Sequence, residues 1–252
     1  MEHCDRDNTD MMLDRESSVP LGKQLETIMR RKISTGVWAP NTRIPSENEL
    51  CKICGISRMT ARNVVSQFVS YGYFYRIQGK GTFVSEKKYE FSSLQYSGLR
   101  KQLEEQGHSV STKLISCDVM PADEFLADKL NISVGEQVFK VKRVRAANGI
   151  NISYHKSYVP VKLCPGLEKK DPTNEQLCKI MATDYYLERQ YVVETLETFV
   201  ADRSKAKYLN VKPGMPLLLL QDQLYTPDNR IYEFSIIFFR GDKIKMHIEF
   251  HG

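Results

Sequence analysis

The run SENELCKICGISRMTARNVVSQF, residues 46–68, constrains the fold more than any other stretch of the chain. Ser46 and Ser57 are both of a type that caps the N-terminus of a helix. Gly55 stands between them and can end the first helix in a left-handed turn. The run therefore predicts two short helices that meet across a tight glycine turn.

The flanking segments extend this pattern on both sides. An earlier helix is indicated by apolar residues at spacings of three and four up to Gly36, namely Leu21, Leu25, Ile28, Met29 and Ile33. The helix that starts at Ser57 has an apolar face of Ala61, Val64, Val65, Phe68 and Val69. After it, residues 73–84 alternate like two strands joined by the glycine-rich tip QGKG. Three helices and a hairpin predict a winged helix-turn-helix.

Cys51 and Cys54 form a Cys-x-x-Cys pair that suggests a metal site, a redox site or two packed thiols. A structural zinc site needs four ligands, and the sequence has no second such pair and no His-x-x-x-His nearby. A redox pair belongs at the end of a strand, which this region lacks. We therefore favour core packing, and we predict no metal, no cofactor and reduced thiols in a cytoplasmic protein.

Positive charge is concentrated in the first third of the chain. Residues 19–90 hold twelve Lys and Arg against five Glu and no Asp, which leaves the remainder close to neutral. Arg58 and Arg62 are four residues apart, so they project from one side of the third helix, opposite its apolar face and beside Thr60 and Asn63. An exposed helix with Arg at its start suits guanine recognition in the major groove, although a merely solvated charged face is the alternative.

Three ordered motifs in residues 36–84 resemble the GntR-type winged helix: Pro45-Ser46-Glu47, Ser57-Arg58-x-Thr60 and Gly79-x-Gly81-Thr82-Phe83-Val84. The resemblance implies that Arg58, Thr60 and Arg62 contact bases or phosphates and that Gln78 and Gly79 touch the minor groove. Lys80, in the glycine-rich tip, can approach phosphates. The expected DNA-binding residues are Ser46, Asn48, Ser57, Arg58, Thr60, Arg62, Asn63, Gln78, Gly79 and Lys80.

The remaining two thirds contain an internal repeat. Two segments, 79 residues apart at Leu130 and Leu209, share a helix, a Leu-Asn pair, a glycine turn, a strand, a short turn and a second strand. Both strand pairs indicate antiparallel hairpins. The chain is therefore expected to be α+β, with an N-terminal winged helix-turn-helix and a C-terminal domain built on a largely antiparallel sheet.

This half resembles the UTRA domain of the HutC-type branch of GntR regulators, whose fold is like that of chorismate lyase. The resemblance rests on Arg143-Val-Arg145, on SYVP at residues 157–160 and on IYEFSIIFFRGD at residues 231–242. It implies a dimer that binds a small metabolite, often a phosphorylated sugar, between the halves of the domain. We expect a disordered segment at 1–18, the winged helix at 19–85, a linker at 86–96 and the effector-binding and oligomerisation domain at 97–252.

Two arginines are the main candidates for holding the effector. Arg143 and Arg145 alternate on one strand, so both point to the same face and could bind a phosphate or carboxylate; two solvated surface arginines are the alternative. Glu233 matches a family position that holds ligand hydroxyls, although a surface position is also compatible with the sequence. Arg100, His155 and Gln176 depart from the sugar-phosphate pattern, and the gain of Arg100 and His155 predicts a more cationic pocket. The effector-binding set is Arg100, Arg143, Arg145, His155, Gln176 and Glu233.

Together these features predict a homodimeric transcriptional regulator, most simply a repressor, that binds an inverted-repeat operator in double-stranded DNA. A small anionic metabolite, phosphorylated or carboxylated, is expected to modulate operator binding. A DNA-binding dimer with a degenerate pocket and no effector is the main alternative. A lyase-like enzyme is suggested only by the fold analogy, because the sequence holds no catalytic motif. No apolar run reaches the roughly 18 residues of a membrane helix.

Overall fold

A computed structural model of the protein describes residues 11–86, 88–92, 98–173 and 177–248. The chain divides into two compact units, one up to residue 87 and the other from residue 88 onward. No helix within the described ranges is long and apolar enough to cross a membrane.

The first unit consists of three helices and a hairpin. Helices α1 (Leu21–Ser34), α2 (Glu47–Cys54) and α3 (Arg58–Ser70) are followed by strands β1 (Phe74–Ile77) and β2 (Gly81–Val84). The strands are antiparallel, with Phe74 opposite Val84. Gly55 ends α2 in the left-handed region at φ 61°. This arrangement confirms the predicted winged helix-turn-helix.

Phe68 of α3 lies at the centre of the first unit's core. Its side chain is fully buried, and its ring stacks on that of Phe74 at 5.0 Å between centroids. Cys54 is buried in the same cluster and Cys51 packs against it. Burial raises the pKa of the Cys54 thiol. Both thiols therefore serve as small core side chains, in agreement with the core-packing interpretation.

Residues 11–18 differ from the disordered segment that we expected at 1–18. Met11 is buried in the core of the winged helix. The Arg15 guanidinium donates to the Gly55 carbonyl oxygen at 2.6 Å, and the Gln24 amide side chain bonds both the backbone N–H and the carbonyl of Asp14. The polar composition concealed these anchors, so the expectation is wrong for residues 11–18. Residues 1–10 lie outside the described ranges.

The second unit is an α+β structure. Its strands are β3 (Tyr89–Phe91), β4 (Val110–Pro121), β5 (Gln137–Ala147), β6 (Ile150–Pro160), β7 (Tyr191–Val200), β8 (Pro216–Tyr225), β9 (Ile231–Arg240) and β10 (Ile244–Met246). Its helices are α4 (Leu99–Glu105), α5 (Glu124–Leu130), α6 (Leu177–Tyr185) and α7 (Arg203–Leu209). Six strands form one antiparallel sheet in the order β4-β5-β6-β9-β8-β7, and β3 pairs with β10 in parallel. The predicted largely antiparallel sheet is confirmed.

Part of the expected linker at 86–96 is instead ordered within this unit. Phe91 of β3 is buried and its ring packs on that of Phe239 at 5.0 Å. The polar composition of residues 85–98 hid this aromatic anchor. Residue 87 and residues 93–97 lie outside the described ranges.

The predicted repeat is confirmed as two copies of a strand-helix-strand-strand unit. The first copy is β4-α5-β5-β6 and the second is β7-α7-β8-β9. Asp123 and Asp202 cap the two helices at their N-termini, and Asn131 and Asn210 end them in the left-handed region at φ 52° and 53°. The copies meet where β6 pairs with β9. A matching strand order on each side of this pair gives the sheet an internal pseudo-symmetry.

Helices cover both faces of the sheet. Leu126 of α5 and Leu209 of α7 belong to the apolar clusters of one face. On the other face, Leu99 and Leu103 of α4 pack near Phe239, and Leu177 of α6 packs in a cluster with Val141. The face under α4 and α6 carries the polar side chains described below.

We predict that Phe68→Ala destabilises the first unit by about 3–5 kcal/mol, because it removes a fully buried ring and leaves a cavity. Trp38, the only tryptophan of the chain, is buried in the same core and reports on this unit during urea unfolding. Met12→Ala is the control, since Met12 is exposed; it should change the unfolding free energy by less than about 0.5 kcal/mol. Equal stability of Phe68→Ala and the wild type would contradict this description of the core.

Candidate DNA-reading surface and effector cavity

The start of α3 presents unpaired side chains to solvent. Ser57 caps the helix by accepting the backbone N–H of Thr60 at 3.1 Å, and the hydroxyls of the two residues lie 2.9 Å apart. Arg58, Arg62 and Asn63 are exposed. Neither arginine has an intramolecular partner within the described part of the chain. Their guanidinium donors are therefore free to bind phosphates or base edges.

One of the predicted DNA-binding residues, Ser46, holds the start of α2. Ser46 forms a capping box with Glu49: its hydroxyl accepts the Glu49 N–H, and its own N–H donates to the Glu49 carboxylate at 2.7 Å. Hydrogen bonding of the Glu49 carboxylate to the side chain and backbone of Ser46 lowers the pKa of Glu49. Asn48 is exposed on the first turn of α2. Ser46 thus fixes the helix end, and Asn48 points to solvent.

Arg76 fixes the hairpin against the helices. Its guanidinium donates to the Glu47 carboxylate of α2 at 3.3 Å and to the Ser66 hydroxyl of α3 at 3.0 Å. Gly81 requires φ +121°, and a Cβ there would lie 2.9 Å from the Arg43 Nε. The tip residues Gln78, Gly79 and Lys80 are all exposed. The hairpin therefore presents a cationic tip on a fixed base.

The second unit contains a cavity of about 70 Å³ between the sheet and helices α4 and α6. Leu99 of α4 and Leu177 and Cys178 of α6 line one side. The polar part of the wall consists of Arg143, Arg145, His155, Arg189, Asp222 and Glu233. Most of these residues lie on one face of the sheet. Residues that lie opposite each other on adjacent strands point to the same face, and Arg143 lies opposite His155.

Arg143 and Arg145 are buried, at 6% and 8% exposure. Burial lowers the pKa of both guanidinium groups, to about 9 for Arg145, where the charge of Arg143 adds to the effect. Both remain protonated at neutral pH. The alternative of two solvated surface arginines is therefore wrong, and two positive charges face one small cavity.

A chain of hydrogen bonds crosses three strands from Arg143 to Glu233. The Arg143 guanidinium donates to the Ser157 hydroxyl at 2.6 Å, Ser157 lies 2.8 Å from the Ser235 hydroxyl, and Ser235 donates to the Glu233 carboxylate at 2.6 Å. Since the single Ser235 hydroxyl proton goes to the Glu233 carboxylate, Ser157 donates its own proton to Ser235. The chain fixes the Glu233 carboxylate beside the cavity.

Asp222 is a buried site residue that the sequence analysis missed. Burial raises its pKa well above the usual value, and the nearby Glu233 and Glu194 carboxylates add to this shift. Asp222 Oδ1 and Arg143 Nε have no hydrogen-bond partner, although both atoms are buried. The sequence did contain a signal for Asp222, because the 79-residue repeat places it at the position equivalent to Arg143. Two unsatisfied polar atoms at one cavity favour a polar ligand.

Two of the expected cationic groups contribute less to the cavity than the sequence predicts, although the charge of Arg100 still helps to lower the pKa of Arg145. His155 shares a hydrogen bond with Ser153 at 2.8 Å, and burial together with Arg145 and Arg143 lowers its pKa well below the usual value. His155 is therefore neutral, and its predicted cationic contribution is wrong. Arg100 is bound by the Glu104 carboxylate at 2.8 Å and the Thr173 carbonyl at 3.2 Å, and it is not among the lining residues. Gln176 lies outside the described residues.

Two family models match the chain. The model of bacterial regulatory proteins of the gntR family matches residues 21–84, and that of the UTRA domain matches residues 105–245. The chain belongs to the GntR regulators that carry a UTRA domain. Arg189, which lines the cavity but was not predicted, falls within the matched UTRA range.

Relatives of this GntR/UTRA protein are named as transcriptional repressors. The chain is 28% identical to the HTH-type transcriptional repressor NagR of Bacillus subtilis, over 92% of this chain and 96% of that protein. It is 27% identical to the histidine utilization repressor of Pseudomonas putida, over 84% of each. The crystal structure of PhnF from Mycobacterium smegmatis has the same fold, with a TM-score of 0.65 and 23% identity over 90% of this chain and 99% of that one.

The family defines the general role of each unit. GntR-family regulators bind DNA operators, and UTRA domains bind small-molecule effectors. The family and the matched proteins are transcriptional regulators and not enzymes. The lyase-like reading that the fold analogy suggested is therefore excluded, and the GntR/UTRA protein is a DNA-binding regulator.

The raised pKa of Asp222 predicts a specific pH dependence of stability. The unfolded chain releases this proton near pH 3.9, whereas the folded protein holds it to much higher pH. The contribution of Asp222 to the free energy of unfolding therefore falls as pH rises above about 4. Asp222→Asn cannot titrate, so the stability of this variant relative to the wild type should rise over the same range in thermal unfolding.

Asp228→Asn is the control with the opposite sign. Hydrogen bonds from Thr226 and Arg230 lower the pKa of Asp228. The wild type should therefore gain stability relative to Asp228→Asn as pH rises toward neutrality. A difference between Asp222→Asn and the wild type that does not change with pH would show that Asp222 is ionised in the folded protein.

Proposed function

We propose that this protein is a homodimeric repressor that binds an inverted-repeat operator and responds to a small anionic effector in its UTRA domain. The α3 helix enters the major groove and the hairpin tip contacts the adjacent backbone or minor groove. Two-fold symmetry of the dimer matches the symmetry of the two half-sites. The relatives named as repressors support the sign of the response.

The observation that carries the DNA part of the proposal is the exposed start of α3. Arg58 and Arg62 are four residues apart on one helix face and are unpaired within the described residues. Ser57 and Ser46 hold the ends of α3 and α2, and Thr60 is engaged with Ser57. We therefore assign base or phosphate contacts to Asn48, Arg58, Arg62, Asn63, Gln78, Gly79 and Lys80, and positioning roles to the three hydroxyl residues.

Arg58→Ala should weaken binding to the preferred operator by about 1–3 kcal/mol and relax discrimination at one base pair, because the guanidinium fork can bind guanine O6 and N7. Lys80→Ala should weaken all sequences alike and reduce the slope of log K against log salt by about one, as expected for a lost phosphate contact. Fluorescence anisotropy on an operator series at several salt concentrations separates the two effects. Wild-type affinity of Arg58→Ala for every sequence would refute its assignment.

The effector part of the proposal rests on the buried arginine pair. Arg143 and Arg145 face a cavity in which Arg143 Nε has no partner, and Arg189 lines the same wall. A phosphate or carboxylate can accept several guanidinium donors at once. Asp222 and Glu233, which line the same cavity, can bind the neutral polar groups of the same ligand. His155 is neutral, so it is not one of the cationic groups that would attract an anion. The expectation of an anionic ligand therefore rests on the arginines alone.

Effector binding can control operator binding only through a difference in affinity between two states of the dimer. In one state of the dimer, the two α3 helices do not match the half-site spacing. An anion that binds this state more tightly weakens operator binding. The loss in operator-binding free energy equals the coupling free energy between the two sites. Release of the operator then relieves repression.

An anionic metabolite at a hundred times its dissociation constant should add about 2.7 kcal/mol to the free energy of unfolding and raise the Tm by several degrees. A thermal-shift screen of phosphorylated and carboxylated metabolites should find such a ligand for the wild type. The Arg143→Ala/Arg145→Ala variant should not respond to it, whereas Arg230→Ala, at an exposed pair with Asp228, should respond normally. If no compound shifts the wild type while operator binding is intact, the protein is a regulator without an effector.

A further inference from the structure

Met59 is a large apolar side chain on the DNA-reading helix with no place in the core. It is the second residue of α3 and is 63% exposed. Phe68, fully buried, lies nine residues further along, which is about two and a half turns at 3.6 residues per turn. Met59 therefore points directly away from the core of the first unit.

The neighbours of Met59 are all hydrogen-bonding residues. Arg62 and Asn63 follow it by three and four residues and lie on the same helix face, and Arg58 precedes it. All three are exposed. Met59 thus stands in the middle of the polar surface to which we assign DNA binding, and its thioether cannot donate the hydrogen bonds that its neighbours can.

In the major groove, the apolar group that a base edge presents is the C5-methyl of thymine. We propose that Met59 packs on a thymine methyl in each operator half-site and that it is a specificity-determining residue of this protein. The inference rests on the proposed docking of α3 and goes beyond it, because it assigns one base feature to one side chain. The flexible, unbranched chain of methionine can adapt to the position of the methyl.

Replacement of thymine by deoxyuridine tests this contact, because it removes the methyl group and nothing else. An operator is first selected from a random duplex library with the full-length wild type. Each thymine of one half-site is then replaced in turn, and dissociation constants are measured by fluorescence anisotropy. At one position the wild type should bind about fourfold more weakly, the loss expected for one buried methyl. Met59→Ala should bind the two duplexes equally.

Two variants serve as controls. Met12→Ala removes an exposed methionine outside the helices and should keep the fourfold effect. Met59→Leu keeps an apolar side chain of similar size and should keep most of it. Since Met59 is exposed, its replacement should leave the circular dichroism spectrum and the Tm unchanged.

The outcomes separate this inference from the proposal on which it rests. If the wild type selects an operator but no thymine shows the methyl effect, or if Met59→Ala retains it in full, the assignment of Met59 is wrong and DNA binding stands. If the wild type selects no sequence at all, both the DNA-binding proposal and the Met59 contact are overturned.

Discussion

The antiparallel pairing of β6 with β9 is the interaction on which the UTRA domain depends. It joins the two copies of the repeat into one sheet and sets Ser157 directly opposite Ser235. Side chains on paired strands alternate between faces with a period of two, so a slip of one residue would move one of these serines to the other face. The Ser157–Ser235 hydrogen bond, which links the Arg143 side of the wall to Glu233, depends on this register. The pairing therefore builds the polar wall of the cavity as well as the sheet.

The wall of the cavity contains buried polar atoms that have no hydrogen-bond partner within the described part of the protein. Two buried guanidinium groups carry a desolvation cost that nearby acids only partly offset. Burial, together with the nearby Glu233 carboxylate, raises the pKa of Asp222, and both its Oδ1 and the Arg143 Nε are without partners. A ligand that supplies both an anionic group and neutral polar groups would satisfy these atoms.

The sequence predicted the features that depend on local periodicity. The apolar face of α3 follows a helical period, so the exposed side with Arg58 and Arg62 could be assigned, and strand alternation placed Arg143 and Arg145 on one face. Features that depend on tertiary contacts were missed. The charge of His155 depends on burial beside two arginines, and the direction of Arg100 depends on Glu104 and Thr173. Buried side chains such as Met11 and Phe91, together with long-range hydrogen bonds such as that from Arg15 to Gly55, anchor segments whose composition is polar.

The central claim is that the cavity and the reading helices are linked in free energy. The direct measurement is the operator dissociation constant of the full-length protein without and with a saturating concentration of the anion that raises the Tm most. We expect the anion to lower operator affinity. Because coupling between two sites is reciprocal, the operator should lower the affinity for that anion by the same factor. Identical operator affinity in both conditions would contradict the account and leave DNA binding independent of the cavity.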